Sequence, residues 1–199
     1  METPLSISPG DTDLTTLTAL TGTEIRKRKD QKNKRPRVYE KIKAFHRDMS
    51  SGVISPILRL KINRSLCNFK CTHCCEEPYM SRDLKKKTGA IDQRKQMSIA
   101  DYAELSRQAD EYGIFRFVLT GGEAVLDKNL GELIQALDPM KHLMILDSNG
   151  WFFDEEKAKW FAGLGGYKAQ ISLDSFVEDE HDAFRNKRGA YKRAIRSIK

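Results

Sequence analysis

From Ile57 to Ile62 the chain reads Ile-Leu-Arg-Leu-Lys-Ile, and this alternation of apolar and polar side chains predicts a β-strand. Beyond it the period changes. Tyr102, Leu105, Ala109 and Tyr112 fall along one face of a helix that Ser98 and Asp101 open as a capping pair and Gly113 closes. Ile114 to Leu119 is a second strand. Leu130, Leu133, Ile134 and Leu137 then recur at i, i+3, i+4 and i+7 before Pro139, the pattern of an amphipathic helix. Leu143 to Leu146 is a third strand, Glu155 to Leu164 a helix capped by Asp154 and ended by Gly165-Gly166, and Ala169 to Leu173 a fourth strand. A basic helix starts near Tyr191. Upstream, Tyr39, Ile42 and Phe45 predict a connecting helix from Val38 to about Met49.

Strands alternating with helices predict an α/β fold with parallel strands, either an open sheet or part of a (β/α) barrel. In both, ligands gather at the carboxyl ends of the strands. Each of those ends carries distinctive residues: a run of cysteines after the first strand, Thr120-Gly121-Gly122-Glu123 after the second, Ser148-Asn149-Gly150 after the third and Asp174-Ser175 after the fourth.

All four cysteines lie within Cys67 to Cys75, and the first three are spaced Cys-x3-Cys-x2-Cys. Two disulfides in so short a loop would need Cα separations and Cβ directions it rarely supplies. Three thiolates can instead hold three irons of a 4Fe-4S cube and leave the fourth iron open, whereas the usual set is four cysteines. The rival is a structural zinc on Cys67, Cys71, Cys74 and either His73 or Cys75, although zinc ligands usually split between two separated knuckles and no second Cys or His pair follows here. Cys75 has no assigned role.

The 199 residues suffice for one domain with a tail and carry a formal charge of +7. That charge is local. Arg26 to Arg37 holds eight of the 35 basic residues and one of the 28 acids, leaving 27 of each elsewhere. Residues 1–37 are rich in Ser, Thr and basic side chains with few large apolar ones, and are expected to be a disordered basic arm. A solvated arm, a nucleic-acid contact and a docking site for an acidic electron-donor protein are the readings it admits. Residues 38–53 then connect to a core domain over 54–199. With no signal peptide or membrane-length apolar run, a soluble cytoplasmic protein whose cysteines stay reduced is expected.

The cysteine loop, Leu119-Thr120-Gly121-Gly122-Glu123, Asp147-Ser148-Asn149-Gly150, Ile171-Ser172-Leu173-Asp174 and His181-Asp182-Ala183-Phe184-Arg185, in that order, resemble the radical S-adenosylmethionine (radical SAM) superfamily over about residues 54–199. The resemblance implies a partial (β/α) barrel in which Cys67, Cys71 and Cys74 bind a 4Fe-4S cluster whose open iron takes S-adenosylmethionine. It implies an enzyme that generates a 5′-deoxyadenosyl radical for hydrogen abstraction, fed by an electron donor such as flavodoxin or ferredoxin. Gly121 and Gly122 would admit the methionyl group, Glu123 its ammonium, Asn149 and Ser172 the ribose or carboxylate oxygens, and Arg185 a carboxylate. His73 would pack near adenine. Ala124 stands where many members have proline, and Cys75 where tyrosine is common. The family core normally has six βα units, so a fragment or truncated product of a longer enzyme is expected, one that retains cluster ligands. The substrate, a peptide, nucleotide or small metabolite, is not specified by the scaffold. The alternative is a zinc-stabilised nucleic-acid-binding module using the basic arm.

Overall fold

A computed structural model describes residues 34–48, 56–63, 66–74 and 97–199. Most of the basic arm, Cys75 and nearly all of the charged stretch from Glu76 to Met97, read from sequence as an insertion or lid, lie outside the described residues. The elements are α1 (Pro36–Asp48), β1 (Ile57–Lys61), α2 (Ile99–Glu111), β2 (Arg116–Thr120), a 3-10 turn (Ala124–Leu126), α3 (Leu130–Ala136), β3 (Leu143–Ser148), α4 (Glu155–Gly163), β4 (Gly166–Ile171), α5 (Glu178–Arg185) and α6 (Ala190–Ile198). The four strands form one parallel sheet in the order β1-β2-β3-β4. The fold is the α/β arrangement of parallel strands that the alternating pattern predicts.

Among the described residues, the apolar core lies between one face of that sheet and its helices. Leu58, Leu60, Phe117, Leu119, Met144 and Leu146 point into the core with Leu130, Leu133, Ile134 and Leu137 of α3 and its C-cap. Each large side chain buried this way contributes roughly 1.5–3 kcal/mol. Alternate residues face the other way, and Arg59, Asp147 and Gln170 place a polar network there: Asp147 accepts from Arg59 at 2.8 Å and from Gln170 at 2.7 Å. The second face is thus mixed, with buried Val118 and Ile145 in register with Arg59 and the polar network towards the carboxyl end. Helix α2 opens as expected, with Asp101 N–H donating to Ser98 Oγ at 3.2 Å and Ser98 N–H to Asp101 Oδ2 at 2.7 Å. Helix α4 opens on Asp154, whose carboxylate accepts from Lys157 N–H at 3.0 Å.

Two expectations need correction. The fourth strand starts three residues earlier than the sequence pattern indicates and ends before Leu173, which is exposed. Gly165 ends the helix with φ +84°, but Gly166 is already strand: a Cβ there would lie 2.5 Å from the Phe161 ring, so only glycine lets α4 close on β4. The second correction is α5, which apolar periodicity does not announce. Its signals are electrostatic and conformational: Glu178, Asp179 and Glu180 fill the first turn, where the helix dipole favours acids, and Asn186 leaves it at φ +47°.

Helix α1 closes the N-terminal end of the sheet. Val38, Ile42 and Phe45 pack on Phe115 and Leu143, and between them Lys41 is buried. Its ammonium donates to Ile114 O at 2.9 Å and Lys141 O at 3.0 Å, and pairs with Asp110 at 2.6 Å. Three donors meet three acceptors. Among the described residues no helix is long and apolar enough to cross a membrane.

Candidate functional site

At the opposite end, the carboxyl ends of the strands, the residues that matter come from loops sewn together by backbone. Ile62 N–H donates to Thr120 O at 3.0 Å and Glu123 N–H to Leu66 O at 2.7 Å, so the cysteine loop and the Gly-Gly-Glu loop run side by side. A further residue, Asn63, locks them. Its Oδ1 accepts from Gly122 N–H at 3.0 Å, and its Nδ2 donates to Glu123 O. A Cβ on residue 121 would fall 2.1 Å from that same Oδ1. Gly121 is therefore required by Asn63, a neighbour within the protein, whatever else approaches it.

Cys67, Cys71 and Cys74 are free thiols on the wall of one cavity of about 400 Å³. Every other candidate from the sequence lines it too: Gly121, Gly122, Glu123, Asn149, Ser172, Arg185 and His73. Sequence reasoning did not single out Asn63, Phe69, Arg59 or Gln170, since neither a lone asparagine nor alternating strand residues carry a motif, and it named Asp147 only as part of the Asp147-Ser148-Asn149-Gly150 run. The wall is predominantly polar.

Several candidates already have partners inside the protein. Glu123 is buried, and its carboxylate accepts from Ser148 Oγ at 2.9 Å, Asn149 N–H at 2.7 Å and Val125 N–H at 3.3 Å. Burial raises its pKa, and these donors oppose the rise. A carboxylate has roughly four acceptor positions, and three are taken by these donors. Asn149 accepts from Trp151 N–H at 2.9 Å and donates to Asn68 Oδ1 at 2.9 Å, with the same Nδ2 3.9 Å from Cys67 Sγ. Arg185 makes a two-pronged pair with Asp174 and directs Nη1 to Cys71 Sγ at 3.9 Å. Asp174 is itself held, its N–H donating to His181 Nδ1 at 3.2 Å. His73 stacks on Phe184, with centroids 4.2 Å apart and planes 8° from parallel. Thr72 donates to Phe184 O through N–H at 3.1 Å and Oγ1 at 3.0 Å, so the cysteine loop is moored to the end of α5. Ser172 donates its N–H to Ser148 O at 2.9 Å.

The donor set fits an iron–sulfur cube. The thiols share one wall, and two of the three sulfurs have an N–H donor aimed at them, the kind of outer contact that tunes a metal site. Among the described residues no three His, Cys, Asp or Glu side chains close on a position for a single ion. Burial pushes the Cys67 thiol up to about 11 and raises Cys71 as well, so metal loading at neutral pH has to displace protons.

The described residues thus join a parallel α/β sheet to three free thiols at its carboxyl edge. The chain belongs to the Radical SAM superfamily, whose family model matches residues 65–199. The sporulation killing factor maturation protein SkfB of Bacillus subtilis is 26% identical over 136 residues, covering 67% of this chain and 30% of the relative. The GTP 3′,8-cyclase of Klebsiella pneumoniae is 30% identical over 122 residues, covering 59% and 35% respectively. Among solved structures, Streptococcus suis SuiB bound to precursor peptide SuiA superposes with a TM-score of 0.51 at 16% identity, over 75% of this chain and 32% of that one. SuiB is also known bound to S-adenosylmethionine, and members of the superfamily use that molecule with a 4Fe-4S cluster. The chain spans about a third of the length of these relatives.

Proposed function

We propose that Cys67, Cys71 and Cys74 bind a 4Fe-4S cluster and that the adjoining cavity receives S-adenosylmethionine for reductive cleavage. The observation that carries this reading is the shared wall: three free thiols and the Gly121-Gly122-Glu123 loop line one cavity, with the remaining acceptor position of Glu123 available to an ammonium. A cluster held by Cys67, Cys71 and Cys74 would supply one electron for reductive cleavage of the sulfonium C–S bond, the chemistry of hydrogen abstraction from a substrate.

The chain's own groups then have separable tasks. Asn63 fixes the spacing of the cysteine loop against Gly122 and Glu123. Glu123 anchors the end of β3 and orients the cationic end of the ligand. Arg185, held flat by Asp174, presents positive charge to the Cys71 sulfur and to any carboxylate beside it. His73, backed by Phe184, offers an aromatic face, and Ser172 a hydroxyl. Arg59, Asp147 and Gln170 supply the polar surface that a substrate would meet. The relatives include proteins named for peptide maturation, GTP cyclisation and haem synthesis, so the substrate class stays open to all three.

Anaerobic loading with iron and sulfide, followed by dithionite and S-adenosylmethionine, is expected to release 5′-deoxyadenosine. A protein that stays free of iron under those conditions, or carries one tightly held zinc, overturns the reading.

A further inference from the structure

Arg185 reaches the Cys71 sulfur from a position 114 residues further along the chain, and a histidine that the site does not otherwise use holds it there. His181 lies one turn before Arg185 on α5, with 1% of its side chain exposed. Its Nδ1 accepts from Asp174 N–H at 3.2 Å, so in the neutral ring the proton sits on Nε2. Burial lowers the pKa of the ring, with Asp174 opposing, and the neutral form is the one present at pH 7. Nε2 is nevertheless buried without a hydrogen-bond partner among the described residues. The ring packs on Tyr191, with centroids 6.0 Å apart and planes at 67°. Tyr191 is fixed in turn, because its N–H and that of Gly189 donate to Asp182.

A buried donor without an acceptor costs stability, and a leucine in the same place would not carry that cost. What leucine lacks is Nδ1. The hydrogen bond that Nδ1 makes goes to Asp174, whose carboxylate takes Arg185 Nε on one oxygen and Nη2 on the other at 3.0 Å. Arg185 Nη1 then lies 3.9 Å from Cys71 Sγ. The loop that carries Asp174 exposes Leu173, Phe176 and Val177, so hydrogen bonds hold it in place where packing does not. His181 itself is not on the cavity wall.

We propose that His181 is a positioning residue for the cluster site: through Asp174 it holds Arg185 against the Cys71 sulfur and so raises the reduction potential of a cluster bound there. The proposal rests on the cluster-binding reading above. A hydrogen bond and a positive charge at a ligating sulfur both favour the reduced, more negative state. The orphaned Nε2 is the cost of keeping an acceptor at Nδ1.

The test compares His181→Leu with His181→Asn, whose side-chain oxygen can take the place of Nδ1 as acceptor. In the full chain before loading, the Arg185 Nε–H signal in a heteronuclear NMR spectrum reads the grip itself. It is expected to be sharp and protected from exchange in the unaltered chain and in His181→Asn, and lost to exchange with water in His181→Leu. The thermal midpoint of His181→Leu should be no lower than that of the unaltered chain, since its orphaned donor is gone and the freed Asp174 N–H lies in an exposed loop. After anaerobic loading, a mediated redox titration followed by EPR is expected to find equal iron in all three chains. The potential of His181→Leu should be lower, a roughly tenfold shift of the one-electron equilibrium or about 59 mV. Arg185→Gln should lower it at least as far, and His181→Leu added to that variant should change nothing further. Should His181→Leu fail to fold, His181→Gln, whose amide reaches the place of Nε2 rather than Nδ1, should give the same two changes. An Arg185 signal unchanged in His181→Leu overturns the proposal, and so does an unchanged potential or a further fall in the Arg185→Gln background. A chain that takes up no iron counts against the function, and the Arg185 signal, read without iron, still supports or overturns the positioning.

Discussion

The two ends of the sheet each bury a charged group, and they treat it differently. At the N-terminal end Lys41 has three N–H donors and three acceptors, Ile114 O, Lys141 O and Asp110, so its hydrogen-bonding capacity is closed. At the carboxyl end Glu123 accepts three hydrogen bonds and has one acceptor position remaining. A closed polar group secures a fold. The other keeps an acceptor position that no donor among the described residues fills, and the comparison separates an end closed by its own groups from one that is not.

The largest expected effect lies at the open end. Cys71→Ala should reduce iron to background after anaerobic loading while leaving the thermal midpoint of the apoprotein nearly unchanged; Cys75→Ala should retain the iron. Loss of iron in both variants would break the assignment of ligands. Lys41→Ala should do the reverse, since it leaves two carbonyl groups and a carboxylate without their shared donor. A loss of about 3 kcal/mol or more in urea unfolding is expected, with the loaded iron content of the folded fraction preserved.

A third effect sharpens the same contrast through pH. His142 is fully buried, its ring nitrogens 2.9 Å from Ile114 O and 3.2 Å from Ser106 O. Burial first, and then the Lys41 ammonium, lower its pKa from 6.5 to about 4. The unfolded chain therefore takes up a proton between those values and the folded chain does not, so stability is full above about pH 6.5 and falls as pH drops towards 4. The loss should reach about 2–3 kcal/mol and disappear in His142→Gln. A flat profile across that window would show that the two carbonyl groups hold the imidazolium after all. Smaller still, Gly121→Ala should cost about 1–3 kcal/mol by forcing Asn63 aside, and Asn63→Ala in the same chain should recover part of it.

Much of this architecture was readable from side-chain order. The α2 capping pair, the Asp154 cap and the apolar stripe of α3 are local features whose physics lies within a few residues, and each stands where the pattern put it. The candidate residues were also readable as a set, because parallel βα units carry successive loops to one edge. What could not be read were partnerships across the chain. Gly166 looks like a helix stop until Phe161 is seen lying on it. Lys41 looks like a surface lysine, and its ammonium finds a lining of backbone carbonyl groups that no motif encodes. Helix α5 escapes an apolar search because its buried residue, His181, is polar. Arg185 was read as a group for an external carboxylate, yet its nearest carboxylate is Asp174.

The 2.1 Å approach between Asn63 Oδ1 and the position a Cβ would take on residue 121 carries one more implication. Side chains at these two positions are mutually constrained, and substitutions there are expected to be coupled. Divergent descendants should exchange them in tandem or keep both, and a related chain bearing a side chain at 121 is expected to show a smaller residue than asparagine at 63.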